Sequence, residues 1–405
     1  MNLFFVNDNY SYGYNDLLQE INTNKSYYPL LKTSDIYLYF LNLIKALITS
    51  QPLVLLDSDL KSDEIGEIND NIINQNKRLS YTDFSNIDEI ISQIEKSESE
   101  ISIFTSGTTG QPKKVIHSIT SLTRSVRKGE RYTNQNWAYA YNPTHMAGLQ
   151  VFFQAFLNKN TIVNVFNKQR DEIYRIISQY NITHISATPT FYRLLLPYEQ
   201  IFEDVQRITF GGEKSDNRLY EEIKKIFPNA KLNNVYASTE AGSLFAAKND
   251  CFQLPLKNRN LFKVVNEELL IHKSLLGRSE NFKYEGEYYC SGDLIEWVDE
   301  TLGIFRFKSR KNELINVGGY KVNPSEVEKI IREIEGVQEV LVYGKKNSIL
   351  GNILCADIQL MPSYYLTDLD IKKTLKNKLQ DFKIPRRIKF VEELSLTRTG
   401  KLKRI

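Results

Sequence analysis

Between Ser34 and about Ala237 the chain alternates short apolar or β-branched runs with longer amphipathic stretches, the pattern of successive βα units in a parallel sheet. Strands are predicted at Leu53–Leu56, Ile101–Thr105, Trp137–Tyr141, Thr161–Val165, His184–Ala187, Arg207–Phe210 and Lys231–Tyr236. Helices are predicted over Asp171–Tyr180, where Ile173, Ile176 and Ile177 share a face, and over Asp216–Phe227, where Leu219, Ile223 and Ile226 do. From about Phe252 to Phe307 short strands such as Glu268–His272 follow one another without helices, which predicts a small antiparallel subdomain. After Arg310 the pattern becomes that of a compact α+β unit. Its helix Ser325–Glu335 is punctuated by Asn323 as N-cap, Pro324 at the first helical position, Glu326 as capping-box partner and Gly336 as stop. Strands at Val337–Tyr343, Ile353–Leu360 and Ile388–Val391 and a helix from Asp368 to about Gln380 complete it. The expected class is α/β: a large N-terminal domain, residues 1–310, with doubly wound, mainly parallel sheets and a small β subdomain, then a small α+β C-terminal domain, residues 311–405.

A chain of 405 residues is too long for one ordinary core, which agrees with more than one domain. Hydrophobic content of 41% and charged content of 25% exclude a disordered or fibrous chain. With 52 Lys+Arg against 49 Asp+Glu, the net charge of +3 carries no footprint of nucleic-acid or membrane-surface binding. The three cysteines, Cys251, Cys290 and Cys355, form no CxxC, so neither a disulfide framework nor a structural zinc site is encoded. Leu3–Val6 is too short for a signal-peptide core, and the apolar region Asp35–Leu56 is broken by Lys45, Gln51 and Pro52. These features lead to the expectation of a soluble, cytoplasmic protein.

In doubly wound sheets ligands bind outside the carboxyl ends of the strands, which directs attention to Thr105–Lys113, Gly211-Gly212-Glu213 and Tyr236–Gly242. The first loop packs hydroxyls, two glycines and a cation into one turn: Thr105, Ser106, Gly107, Thr108, Thr109, Gly110, Gln111, Pro112, Lys113. Glycines let backbone N–H groups approach phosphate oxygens, hydroxyls add donors, and Lys113 neutralises charge. It is no Walker loop, because Lys113 follows Pro112 and no Gly-Lys-Ser/Thr occurs. Such a loop alone is more often a surface turn, so its neighbours decide.

The string TSGTTGQPKKV resembles the phosphate-loop signature of the adenylate-forming superfamily, which holds acyl-CoA synthetases, adenylation domains of peptide synthetases and firefly luciferases. Further signatures follow in the family's order: Pro143-Thr144-His145 with Gly148, Gly211–Glu213, Tyr236–Glu240, Tyr289–Asp293, Arg310 with Gly318-Gly319-Tyr320, and Thr399-Gly400-Lys401. The resemblance, which runs from about Ile101 to the end, implies ATP as substrate, Mg²⁺, and CoA or a phosphopantetheine as acyl acceptor. It implies that Thr105 to Gly110 and Lys113 bind the phosphates, and that Gly211, Gly212, Glu213, Tyr236, Ala237, Ser238, Asp293 and Arg310 bind adenine and ribose. Thr239 would touch the α-phosphate and Glu240 hold Mg²⁺, a hard cation suited to a carboxylate oxygen. Lys401 would reach the α-phosphate and the acid during adenylation, where two anions meet and a placed cation must stabilise the charge that develops. Gly318, Gly319 and Tyr320 would line the thiol tunnel, with Asn312 as the hinge on which a mobile C-terminal domain alternates between half-reactions.

His145 resembles the histidine bordering the acid pocket of acyl-CoA synthetases and is counted with Lys401, Thr239 and Glu240 as catalytic. Amino-acid-activating members usually carry Asp there to hold the substrate's ammonium group, so a substrate without an α-amino group, aliphatic or aromatic, is expected. The segment Thr183–Ser186 through Pro189-Thr190 to Leu194–Leu196 resembles o-succinylbenzoate–CoA ligases, a likeness shared with acyl-CoA ligases generally. Departures from the family are Lys114 and Ser309 for glycines, Asn312 for Asp or Lys, and a trimmed front, with only about a hundred residues before the loop. The expected activity is an ATP-dependent acid–thiol ligase that makes acyl-AMP and transfers the acyl group to CoA. One alternative loads the phosphopantetheine of an acyl carrier protein; another is a catalytically silent nucleotide-binding protein of the same fold. No GxSxG or HExxH suggests a hydrolase.

Overall fold

The computed structural model describes residues 3–8, 10–60, 70–105, 113–247, 250–317, 320–347, 351–396 and 402. The chain forms two compact units, residues 1–261 with 271–289, and residues 262–270 with 290–405.

The first unit is built on two sheets. The larger has the order Gly242–Ala247, Lys231–Ser238, Arg207–Gly211, His184–Ala187, Asn136–Tyr139, Thr161–Asn164, Leu3–Asn7 and Tyr10–Gly13. Its six central strands are mutually parallel, and an antiparallel strand closes each edge. Burial on both faces explains the apolar run of inner strands such as Leu3–Asn7 and Thr161–Asn164. Phe5, Tyr139 and Ile162 point into one cluster, under the helices Tyr14–Thr23, Ile36–Ile48 and Met146–Phe156, while their neighbours Val6, Ala138 and Val163 point into the other. That second cluster takes Ile173, Ile176 and Ile177 and Leu219, Ile223 and Ile226 from the helices Arg170–Gln179 and Asn217–Ile226, the faces that the periodicity predicted.

Leu53–Leu56 and Ile101–Thr105 do not join that sheet. They lie parallel in a four-stranded sheet ordered Leu30–Lys32, Leu53–Leu56, Ile101–Thr105, Lys113–His117, the last strand antiparallel. The Thr105–Lys113 loop therefore joins two antiparallel neighbours rather than a strand and a helix. Between the sheets runs the helix Ile36–Ile48, buried on every face but Leu38. Phe40 sets its ring against Phe5, Tyr139 and Phe152 at 5.4, 5.2 and 4.6 Å, and the Tyr39 hydroxyl donates to the Leu56 carbonyl on the other side. Its polar members Asn42 and Lys45 are buried too, and donate to the Tyr28 and Ser26 carbonyls.

The second unit takes Ile304–Arg310, Phe262–Val265 and most of Tyr288–Asp299 and Glu268–His272, strands of one sheet in which Tyr288–Asp299 runs antiparallel to Ile304–Arg310. Beyond them a three-stranded sheet pairs Val337–Asn347 antiparallel to Gly351–Leu360, and that strand parallel to Arg387–Val391. The helices Pro324–Arg332 and Asp368–Lys376 bury Val327, Ile331, Ile371 and Leu375 in its core. Asn323 caps the first of them by accepting from Ser325 N–H, and Gly336, at φ +88°, follows its end. Glu326 closes no capping box; its carboxylate takes an ion pair with Lys383 at 2.7 Å, a charged partner outcompeting a backbone amide. The second helix stops at Lys376, short of Gln380, where the N–H groups of Lys378 and Leu379 both turn back to the Leu375 carbonyl. Among the described residues no helix is long and apolar enough to cross a membrane.

Candidate active site

The segments after four neighbouring parallel strands leave the large sheet at its carboxyl edge: Asn142–His145 after Tyr139, Pro189-Thr190 after Ala187, Glu213 after Gly211, and Thr239-Glu240 after Ser238. This is the edge where a doubly wound sheet binds ligands. The Glu213 carboxylate accepts from the Thr190 N–H at 3.0 Å and hydroxyl at 2.7 Å, so it ties two of these segments together. Tyr236 stacks on Phe245 of the edge strand, with centroids 5.8 Å apart and planes 22° apart, and the ladder shifts register between Tyr236 and Ala237. Ser238 Oγ accepts from Ala241 N–H at 3.1 Å and so closes the turn that carries Thr239 and Glu240.

Among the described residues neither the Thr239 hydroxyl nor the Glu240 carboxylate meets a protein hydrogen-bond or ion-pair partner, and no cluster of three metal-ligating side chains forms. One partly buried carboxylate suits Mg²⁺, which is held by one or two carboxylates together with substrate phosphates and water rather than by a protein cage.

His145 precedes the helix Met146–Phe156, and its Nε2 lies 3.5 Å from Oδ2 of Asp57, a carboxylate only 5% exposed at the end of the small sheet's Leu53–Leu56 strand. Asn142 Nδ2 donates to the same oxygen at 2.8 Å, and Asp59 N–H donates to Oδ1 at 3.1 Å. The motif marked His145 and missed Asp57, whose only signal is its place after a strand.

His117, which no motif marked, ends the strand that Lys113 begins. It is 1% exposed; burial pushes its imidazole down to about 4, against the opposing pull of its bond to the Thr239 carbonyl. The neutral ring donates from Nε2 to that carbonyl at 2.9 Å, and Nδ1, 3.0 Å from Ser121 Oγ, accepts.

In the second unit Asp293 and Arg310 face each other across the hairpin, Arg310 Nε donating to Asp293 Oδ1 at 2.8 Å. The two residues expected at the ribose are therefore one ion pair, its carboxylate buried and its guanidinium 44% exposed. Tyr320 is exposed and stacks on Phe382 at 4.4 Å. Ser106, Gly107, Thr108, Thr109, Gly110, Gly318, Gly319 and Lys401 lie outside the described residues, as do the side chains of Thr105 and Asn312.

The turn after Ser238 presents a hydroxyl and a carboxylate that meet no partner among the described residues, and comparison with known proteins supplies the class. The AMP-binding enzyme profile matches residues 44–278, and the AMP-binding enzyme C-terminal domain profile matches residues 326–401. The chain belongs to the AMP-binding enzyme family, as the resemblance implied. It is 28% identical over 335 residues to a 2-succinylbenzoate–CoA ligase of Staphylococcus epidermidis, across 75% of this chain and 68% of that one. It is 26% identical over 347 residues to 4-hydroxybutyrate–CoA ligase 1 of Metallosphaera sedula, across 75% of this chain and 61% of that one. Its fold matches the o-succinylbenzoate CoA synthetase of Bacillus subtilis in complex with the acyl-adenylate intermediate OSB-AMP, with a TM-score of 0.71 at 17% identity over 99% of this chain and 94% of the other.

Proposed function

We propose that the protein is an ATP-dependent acid–thiol ligase. It joins a carboxylic acid without an α-amino group to the α-phosphate of ATP, releases pyrophosphate, and passes the acyl group to the sulfur of CoA with release of AMP. The observation that carries this reading is the Thr239-Glu240 turn, whose backbone is held by the protein while its hydroxyl and carboxylate meet no partner among the described residues. The names of the two curated relatives, both CoA ligases, support CoA as the acceptor over the phosphopantetheine of a carrier protein.

Thr239 donates to the α-phosphate, and Glu240 holds Mg²⁺, which when bound neutralises the phosphate charge against which the anionic acid must attack. Lys401 supplies the second cation at that phosphate, and Thr105 to Gly110 with Lys113 grip the leaving pyrophosphate. Tyr236 with Gly211–Glu213, Ala237 and Ser238 surrounds adenine, and Asp293, oriented by Arg310, accepts from the ribose hydroxyls. His145 borders the acid. Residues 311–405 form the domain that alternates, about Asn312, between presenting Lys401 for adenylation and Gly318, Gly319 and Tyr320 for thiolation.

Pyrophosphate exchange over aryl, short-chain, medium-chain and long-chain acids, with amino acids as controls, tests this. Exchange with at least one plain acid is expected. Silence across the panel overturns the activity, and exchange with amino acids alone overturns the assignment of His145.

A further inference from the structure

We propose that His117, Arg124 and Gly277 form a clamp on the Thr239–Ala241 turn, which makes His117 and Arg124 positioning residues for the α-phosphate and Mg²⁺ contacts of Thr239 and Glu240. The proposal rests on the roles given to those two residues above. Three successive carbonyls of the turn are each taken by a different donor. Thr239 O accepts from His117 Nε2 at 2.9 Å, Glu240 O from Gly277 N–H at 2.8 Å, and Ala241 O from the Arg124 guanidinium, whose other nitrogen donates to Leu275 O at 2.9 Å.

The donors are packed against one another. A Cβ at Gly277 would fall 2.6 Å from Cε1 and 2.8 Å from Nδ1 of the His117 ring, so only glycine lets this amide and this imidazole reach adjacent carbonyls. With its carbonyls bound in this way, the turn has little freedom to rotate its peptides. Glu240 and Thr239 therefore offer their side chains from a fixed backbone, the preorganisation that charge stabilisation at a phosphate requires.

The clamp also joins the two sheets. His117 closes the small-sheet strand that Lys113 opens, and the turn it holds joins the last two strands of the large sheet. The segment after Gly277 runs along that strand: Ile116 and Arg278 exchange N–H to O bonds of 2.8 Å in both directions, and Ser279 Oγ donates to Lys114 O at 2.6 Å. The spacing between the proposed phosphate lysine and the proposed Mg²⁺ carboxylate is thus set by one rigid strand and its terminal histidine.

The test compares His117→Ala, Arg124→Ala, His117→Gln and Arg124→Lys in the full chain. Three quantities are read: AMP affinity by calorimetry, amide hydrogen exchange of residues 236–242 against residues 207–211, and the Mg²⁺ concentration for half-maximal pyrophosphate exchange. Both alanine variants should weaken AMP about tenfold or more and raise the Mg²⁺ requirement comparably, the scale seen when groups that orient a ligand's holder are removed. Exchange should quicken in the turn alone, and the acid's KM should stay put. His117→Gln, which keeps a neutral N–H donor, should recover most of the affinity. Arg124 lies at the surface, so its variants keep the test decisive if His117→Ala fails to fold. Wild-type values of AMP affinity and turn exchange in both alanine variants, or losses that follow melting temperature alone, overturn the clamp. A wild-type protein that binds AMP but exchanges pyrophosphate with no acid overturns the activity instead, and affinity and hydrogen exchange still decide the clamp.

Discussion

At the scale of single residues, buried polar groups separate what a motif can mark from what it cannot. His145 was marked as a candidate because it stands in a short recognisable string. Asp57 was not, because its partners Asn142 and His145 meet it only after two sheets have folded. Replacing Asp57 by Ala strands the buried Asn142 amide and the Asp59 N–H, and should lower stability by about 1–3 kcal/mol, whereas Asn should retain part of it. Urea unfolding of the two variants measures this. His117 leads to a pH prediction. Its folded value of about 4 lies below the ordinary histidine range near 6.5, so the unfolded chain binds the extra proton first as pH falls. His117 then contributes stability that is present above pH 6.5 and is lost as pH drops toward 4, and buried His184, pushed to about 4 by burial and then by Arg207, adds to the same window. In His117→Gln the loss of unfolding free energy between pH 6.5 and 4.5 should be shallower by up to about 1.4 kcal/mol per pH unit. Parallel pH profiles would refute the assignment.

At the scale of elements, legibility followed how many faces an element buries. The helices Arg170–Gln179 and Asn217–Ile226 rest one face on the large sheet, so their apolar period is plain in the sequence and their predicted inner residues are buried. The helix Ile36–Ile48 is buried at every residue but Leu38, so no exposed polar face sets it off from the apolar run around it. Its near-complete removal from water makes it sensitive to truncation. Phe40→Ala would open a cavity among Phe5, Tyr139 and Phe152, and is expected to cost about 3–5 kcal/mol in denaturant unfolding. By contrast Asp216→Ala, which removes the N-cap of Asn217–Ile226 and the Arg193 ion pair, should cost about 1–2 kcal/mol. Equal losses would mean that the Ile36–Ile48 helix is not the shared core of the two sheets.

At the scale of the whole molecule, the parallel strands were readable because each is a short apolar run between amphipathic helices, and their division into two sheets was not. Nothing local says that Ile101–Thr105 pairs with Leu53–Leu56 and Lys113–His117 rather than with the strands that follow it. The strand Leu3–Asn7 was equally silent, since it takes its place beside Thr161–Asn164, far along the chain. The family was more legible than the topology, because its motifs constrain residue identity at each position whereas a sheet constrains only hydrophobicity. Lys401 is the extreme case: it is a lysine near the end of the chain, and the Thr399-Gly400-Lys401 string alone marks it. If it supplies the cation at the α-phosphate, Lys401→Ala should lower acid-dependent pyrophosphate exchange by about a hundredfold or more. Transfer of the acyl group from supplied acyl-AMP to CoA needs no attack on that phosphate, so this half-reaction should proceed at close to the wild-type rate. The two rates, measured separately on one preparation, distinguish a division of labour from a general loss of structure. A variant equally impaired in both would show that Lys401 does not serve adenylation alone, and that the C-terminal domain does not alternate between the two half-reactions.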